Sequence, residues 1–193
     1  MKKTLTVIIA LVLVVVMSVA GTVAYLTSRA TVTNTFTVGN VAITLDETKV
    51  DEYGVAITGE QAGRVTSNTY KLIPGQPYTK DPIVHFQPDS EASWLFVKVE
   101  NGISSIEADD NPIAAQIVAN GWTALTGEEG VYYKKVDANT TSVAVDYAVF
   151  GSFTLKGDAN VADYDGKTIV VTAYAIQAAG FNTAEAAWTE VSK

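Results

Sequence analysis

The sequence predicts an all-β fold of two packed antiparallel sheets, with one or two short helices and an export signal ahead of them. Three observations carry this. Short segments rich in β-branched and aromatic residues alternate with period two, Gly, Pro and Asn turns separate them, and strand and helix do not exchange regularly. At 193 residues the chain is long enough for one domain with a real core and short for two.

Lys2 and Lys3 precede an apolar run over residues 5–17 (LTVIIALVLVVVM), and small residues follow: Ser18, Ala20, Gly21, Thr22 and Ala24. That order is the charged, apolar and cleavage-site order of a secretory signal. Two small-x-small sites are present, ending at Ala20 and at Ala24, and cleavage between Ala24 and Tyr25 is preferred. A retained membrane anchor is the rival reading, since no charge occurs between Lys3 and Arg29. The polar Thr22, Thr27 and Ser28 shorten the apolar part to signal length.

From Thr31 the alternation begins, with Val32, Phe36 and Val38 on one face and threonines on the other. Gly39-Asn40 interrupts it, and Val41, Ile43 and Leu45 resume it before a charged stretch, 46–52, that reads as solvated loop. Further strands are expected over 69–73, 83–86, 94–100, 131–136, 142–155 in two pieces around Gly151, and 168–176. Pro74-Gly75 and the nearby Pro77, Pro82 and Pro88 mark turns and edges, because proline cannot donate into an interior ladder. A first helix is expected with Asn111 as its cap, Pro112 at its first helical position and Gly121 as its left-handed stop. A second is expected from a capping box, Asn182 with Glu185, and carries Trp188. The interior is expected to draw on Phe36, Ile43, Leu72, Phe96, Val97, Phe150, Phe153, Val170 and Tyr174.

Composition excludes several functions. With 21 acidic against 13 basic residues the formal charge is −8, and loss of Lys2 and Lys3 with the leader makes the remainder more acidic, so nucleic acid is not an expected partner. Cysteine is absent, which removes disulfides, thiolate metal sites and a cysteine nucleophile, and fits export from a Gram-positive cell. His85 is the single histidine. A zinc protease needs two histidines one helical turn apart with a glutamate, and a serine hydrolase of the common kind needs a Gly-x-Ser-x-Gly elbow. Neither motif occurs, so no catalytic residue is assigned and the expectation is that the protein is not an enzyme.

Two ligand patterns remain open. In the loop from Asp158 to Gly166, Asp158, Asn160, Asp163 and Asp165 supply oxygen ligands of the kind calcium prefers. The spacing departs from the EF-hand, and such groupings also simply make turns. No other cofactor is expected. Trp94, Trp122, Tyr132, Tyr133 and Trp188 form either core and rim or, if they point outward together, a carbohydrate-binding face.

The run from Gly21 through Tyr25-Leu26-Thr27, followed by Thr33-Asn34-Thr35-Phe36-Thr37-Val38-Gly39-Asn40-Val41-Ala42-Ile43-Thr44-Leu45, resembles the TasA/camelysin group, whose signals are processed by the dedicated peptidase SipW. The segment from Pro74 through Thr79-Lys80 to Pro82 resembles that group's Pro-Gly-Asp...Thr-Lys stretch. The ending from Val171 to Phe181, with Ala187-Trp188, looks like that of related exported proteins. Residues 102–149 carry no resemblance. It implies cleavage after Ala24, a jelly-roll sandwich, and assembly into extracellular biofilm matrix fibres by donation of the mature N-terminal strand, residues 25–38, with Val32, Phe36 and Val38 entering a neighbour. Implied partners are further copies of the chain, other matrix proteins and the signal peptidase, with membrane contact only through the uncleaved signal. The camelysin side of the group also implies a metalloprotease, which the single histidine disfavours. A monomeric cell-surface binding module is the alternative function, and an ordinary intramolecular edge is the alternative role for residues 25–38.

The exported protein is expected to begin at Tyr25. N-terminal sequencing checks this, and an intact Met1 on mature protein identifies a retained anchor instead.

Overall fold

The computed structural model describes residues 39–193. The expected leader, its expected Ala24-Tyr25 junction and the expected donor residues Val32, Phe36 and Val38 lie outside them. In chain order the described residues form β1 (Ile43–Thr48), β2 (Arg64–Val65), β3 (Pro77–Thr79), β4 (Ile83–Phe86), β5 (Ser93–Asn101), α1 (Ile113–Ala119), β6 (Thr123–Ala124), β7 (Val131–Val136), β8 (Val145–Ala148), β9 (Ser152–Thr154), β10 (Ile169–Gln177) and α2 (Ala184–Val191). The expected all-β antiparallel sandwich is present. One sheet has the order β2-β1-β4-β8, the other β10-β5-β7-β6, and β3 with β9 makes a two-stranded ribbon.

Alternation sorts the side chains between layers. Leu45 pairs in register with Val84, and Ile43 with Phe86, so the first sheet turns a row of apolar side chains inward. Leu95, Val97 and Val99 of β5 meet that row in the larger core, which also contains Ile113, Ile117, Trp122, Phe150 and Phe153. The other side chains of β5, Trp94 and Phe96, point the opposite way into a second core with Leu125, Val131, Ala184, Ala187 and Trp188. Helix α2 therefore covers the outer face of the second sheet. Its Trp188 ring lies 5.3 Å from Phe96 and 5.2 Å from Tyr174.

Several expectations need correction. Val170 is 41% exposed, not core. It shares the outer face of β10 with Tyr174 and Ile176, and the second core takes up those two but not Val170. Residues 69–73 are not a strand. Their backbone is held by side chains instead: the Tyr78 hydroxyl donates to Lys71 O at 2.8 Å and accepts from Ile73 N at 2.7 Å. The strand falls on Pro77–Thr79, which pairs with β9. The charged stretch 46–52 is partly strand, because β1 continues to Thr48.

The helix caps are shifted as well. Pro112 is the N-cap of α1 and makes no side-chain cap bond. The buried Glu107 takes that role, accepting from Ile113 N at 3.4 Å while Asn101 donates to its other oxygen at 3.0 Å. Gly121 stops α1 as expected, at φ 80°. Helix α2 is capped by Thr183, whose hydroxyl accepts from Ala186 N at 3.3 Å, one residue beyond the expected Asn182.

An aromatic trio fastens the ribbon to the larger core. Tyr78 and Phe153, cross-strand partners on β3 and β9, stack at 4.8 Å, and Tyr70 meets both rings edge-on at 5.8 and 5.5 Å. Gly54, at φ 76°, packs so closely on Tyr78 that a Cβ there would come within 2.7 Å of the ring. Phe153→Ala is expected to destabilise the domain by about 3–5 kcal/mol, read from the urea midpoint at unchanged slope.

Candidate functional site

Strand β10 has the sequence IVVTAYAIQ and pairs with β5 along its full length, from Ile169 opposite Asn101 to Gln177 opposite Ser93. Among the described residues no strand pairs with its other side. An exposed edge normally carries lysine, proline or another charge to prevent further pairing, and β10 has none. Its inner-face residues Ile169, Val171, Ala173 and Ala175 belong to the larger core but are only partly buried.

Beside this edge runs an open groove of about 1100 Å³. Leu45, Leu72, Ile103, Phe153, Ile169 and Val171 supply its apolar lining, and Glu52, Lys71, Asp165 and Lys167 also border it. Glu47 and Lys80 reach it too. Both are buried, and Lys80 Nζ lies 2.6 Å from Glu47 Oε2. Period two explains the position of Glu47, which shares the inward face with Ile43 and Leu45. The Tyr70 hydroxyl donates to Thr79 O at 3.0 Å, and burial, with the charge of Glu47, raises its pKa. The described chain begins against the same edge: the Cβ position of Gly39 lies 3.0 Å from Gln177 Oε1, at the end of β10.

The outer face of the first sheet carries a charged network. His85 Nδ1 lies 2.6 Å from Asp146 Oδ1, its register partner on β8, and Nε2 lies 2.9 Å from Asp46 Oδ1 on β1. Asp46 also accepts from Arg64 Nε, and Arg64 reaches Asp81 Oδ2 at 3.3 Å. Asp81 in turn holds Thr48 N at 2.6 Å and its hydroxyl at 2.7 Å. Only the imidazolium donates from both nitrogens. Burial opposes that charge, but the hydrogen bonds and charges of Asp46 and Asp146 outweigh it and hold the His85 pKa above its ordinary value. Burial likewise opposes the Asp46 carboxylate, and Arg64 and His85 overcome it, so its pKa is lowered.

The loop residues considered for calcium are spread along a turn and the 3₁₀ helix Val161–Tyr164. Asp158, Asp163 and Asp165 are exposed, and Asn160 donates to Asp163 Oδ2 at 2.6 Å. Among the described residues no three imidazole or carboxylate groups converge as a metal-ligand set. The outward aromatic face is corrected: Trp94, Trp122 and Trp188 are 7%, 2% and 7% exposed, and Tyr132 and Tyr133 are half-buried. Comparison with protein-family models, with curated proteins and with solved structures finds no match for this chain.

The groove and the inward Glu47-Lys80 pair are absent from the sequence reading. Residues 169–176 carry no charge and no proline, and that edge is the signal that points to the groove.

The folded state binds the His85 proton more tightly than the unfolded chain, whose histidine titrates near the ordinary value of about 6.5. The resulting stability is fully present below that pH and is lost as pH rises through the raised folded pKa. Urea midpoints are therefore expected to fall from pH 6 toward pH 8.5, with this part of the dependence absent in His85→Gln.

Proposed function

We infer that the protein is a secreted structural subunit of an extracellular matrix, not an enzyme, and that it assembles head to tail when residues 25–38 of one copy pair with β10 of the next. The observation that carries this reading is the nine-residue uncharged edge of β10, without lysine or proline, beside an open groove with an apolar lining and a charged border. Strand addition at such an edge gains main-chain hydrogen bonds and buries alternate side chains. Val32, Phe36 and Val38 have the alternation to supply them.

Dimensions agree with that occupant. Nine residues of β10 span roughly 30 Å, and residues 25–38 are long enough, when extended, to cover that length. Gly39 lies beside Gln177, so the segment leaves its own domain at one end of the edge it is proposed to fill in a neighbour. A contact that joins one patch to a different patch does not close on itself and builds filaments. The resemblance to the TasA/camelysin group supports the same reading, with calcium, glycan binding and proteolysis playing no part in it.

Protein beginning at Tyr25 is expected to form filaments above a threshold concentration, seen by electron microscopy and sedimentation. Protein beginning at Gly39 and the groove variant Val171→Glu are expected to remain folded monomers by circular dichroism and sizing. Folded monomers from all three at every concentration overturn the proposal in favour of a monomeric binding module.

A further inference from the structure

Glu47 does more than balance the charge of Lys80. Its Oε2 lies 2.6 Å from Lys80 Nζ, and its Oε1 accepts from Asn68 Nδ2 at 2.9 Å. An amine and a carboxamide are thus held on the two oxygens of one carboxylate. Asn68 is tightly oriented: Nδ2 also donates to Thr48 O at 2.9 Å, and Oδ1 accepts from Val50 N at 3.0 Å. Glu47 and Lys80 are only 5% and 8% exposed, so water is largely excluded from the pair.

We propose that Lys80 and Asn68 become joined by an intramolecular isopeptide bond, with Glu47 as the catalytic residue. Glu47 Oε2 takes a proton from the Lys80 ammonium, freeing the Nζ lone pair. The flexible end of the lysine swings along the carboxylate, and Nζ bonds to Cγ of Asn68. Negative charge developing on Oδ1 meets the Val50 N–H, which already points at that oxygen. When the adduct collapses, the Glu47 carboxyl turns to give Nδ2 the proton it took, the Cγ–Nδ2 bond breaks, and the departing ammonia takes the second proton from Nζ. One C–N bond forms and one breaks. The two protons lost by Nζ depart with Nδ2 as ammonium, Glu47 returns to carboxylate, and no atom changes oxidation state.

The site has the features this step needs, which a simple buried ion pair does not: a base on the nucleophile, an acid on the leaving group and a donor on the carbonyl oxygen. The product would fasten the segment around Tyr70 and Leu72, one wall of the groove, to the chain just ahead of β4. It gives a cysteine-free chain a covalent staple that reduction does not open. This inference is independent of what fills the groove.

Intact mass of the purified protein under denaturing conditions tests it, read against the mass expected for its own N-terminus. The expected result is a loss of one ammonia, and after proteolysis a single branched peptide containing both Lys80 and Asn68. Glu47→Gln and Lys80→Arg are expected to retain the full mass. Full mass in the unsubstituted protein overturns the proposal. So does loss of ammonia with only linear peptides, which marks a cyclised asparagine instead. Loss of ammonia persisting in Glu47→Gln, with the branched peptide present, overturns the assigned role of Glu47.

Discussion

Strand β5 runs between β10 and β7 with large apolar side chains on both faces, and the two cores of the molecule are the two sides of that one strand. A strand buried on both faces cannot slip by one residue harmlessly, because a slip would exchange Leu95 and Val97 with Trp94 and Phe96, which differ greatly in volume. Its register therefore also positions β10. The inner face of β10 inherits its direction from that pairing and opens onto the groove beyond.

The first sheet is organised differently. Its inner face is apolar, but its outer face is tied by charge, with His85 on the central strand β4 reaching both neighbours at once. Such a clamp acts across strands, as cross-strand pairs do, and is strongest where a ring nitrogen meets an ionised oxygen. Among the described residues the second sheet has no comparable network, and α2 covers its outer face. One sheet is thus held by electrostatics that respond to pH, the other by apolar contact that does not.

Much of this was legible beforehand. Residues 83–86 and 131–136 are strands with the expected bounds, 142–155 divides around Gly151, and Phe96, Val97, Phe150 and Phe153 are core. Local alternation and turn residues encode those features. What was not legible depends on distant partners. Glu47 reads as loop until Lys80 and Asn68 are beside it, and Val170 reads as core until the extent of α2 is known. Residues 69–73 have a strand composition, yet the Tyr78 hydroxyl takes their backbone groups and leaves the pairing to Pro77–Thr79. The three tryptophans had two possible placements, and only the second core and the contacts of α1 decide between them.

Chain order has a further consequence for how the molecule reaches this state. Strand β10 and helix α2 belong to the final 25 residues, yet they flank and cover β5, which lies near the middle of the chain. Until they emerge from the ribosome, both sides of Trp94 to Val97 lack part of their covering, and neither core can close. The domain cannot fold from its N-terminus as it is made. Closure of both cores is a non-local event that joins β5 to a strand far later in the chain.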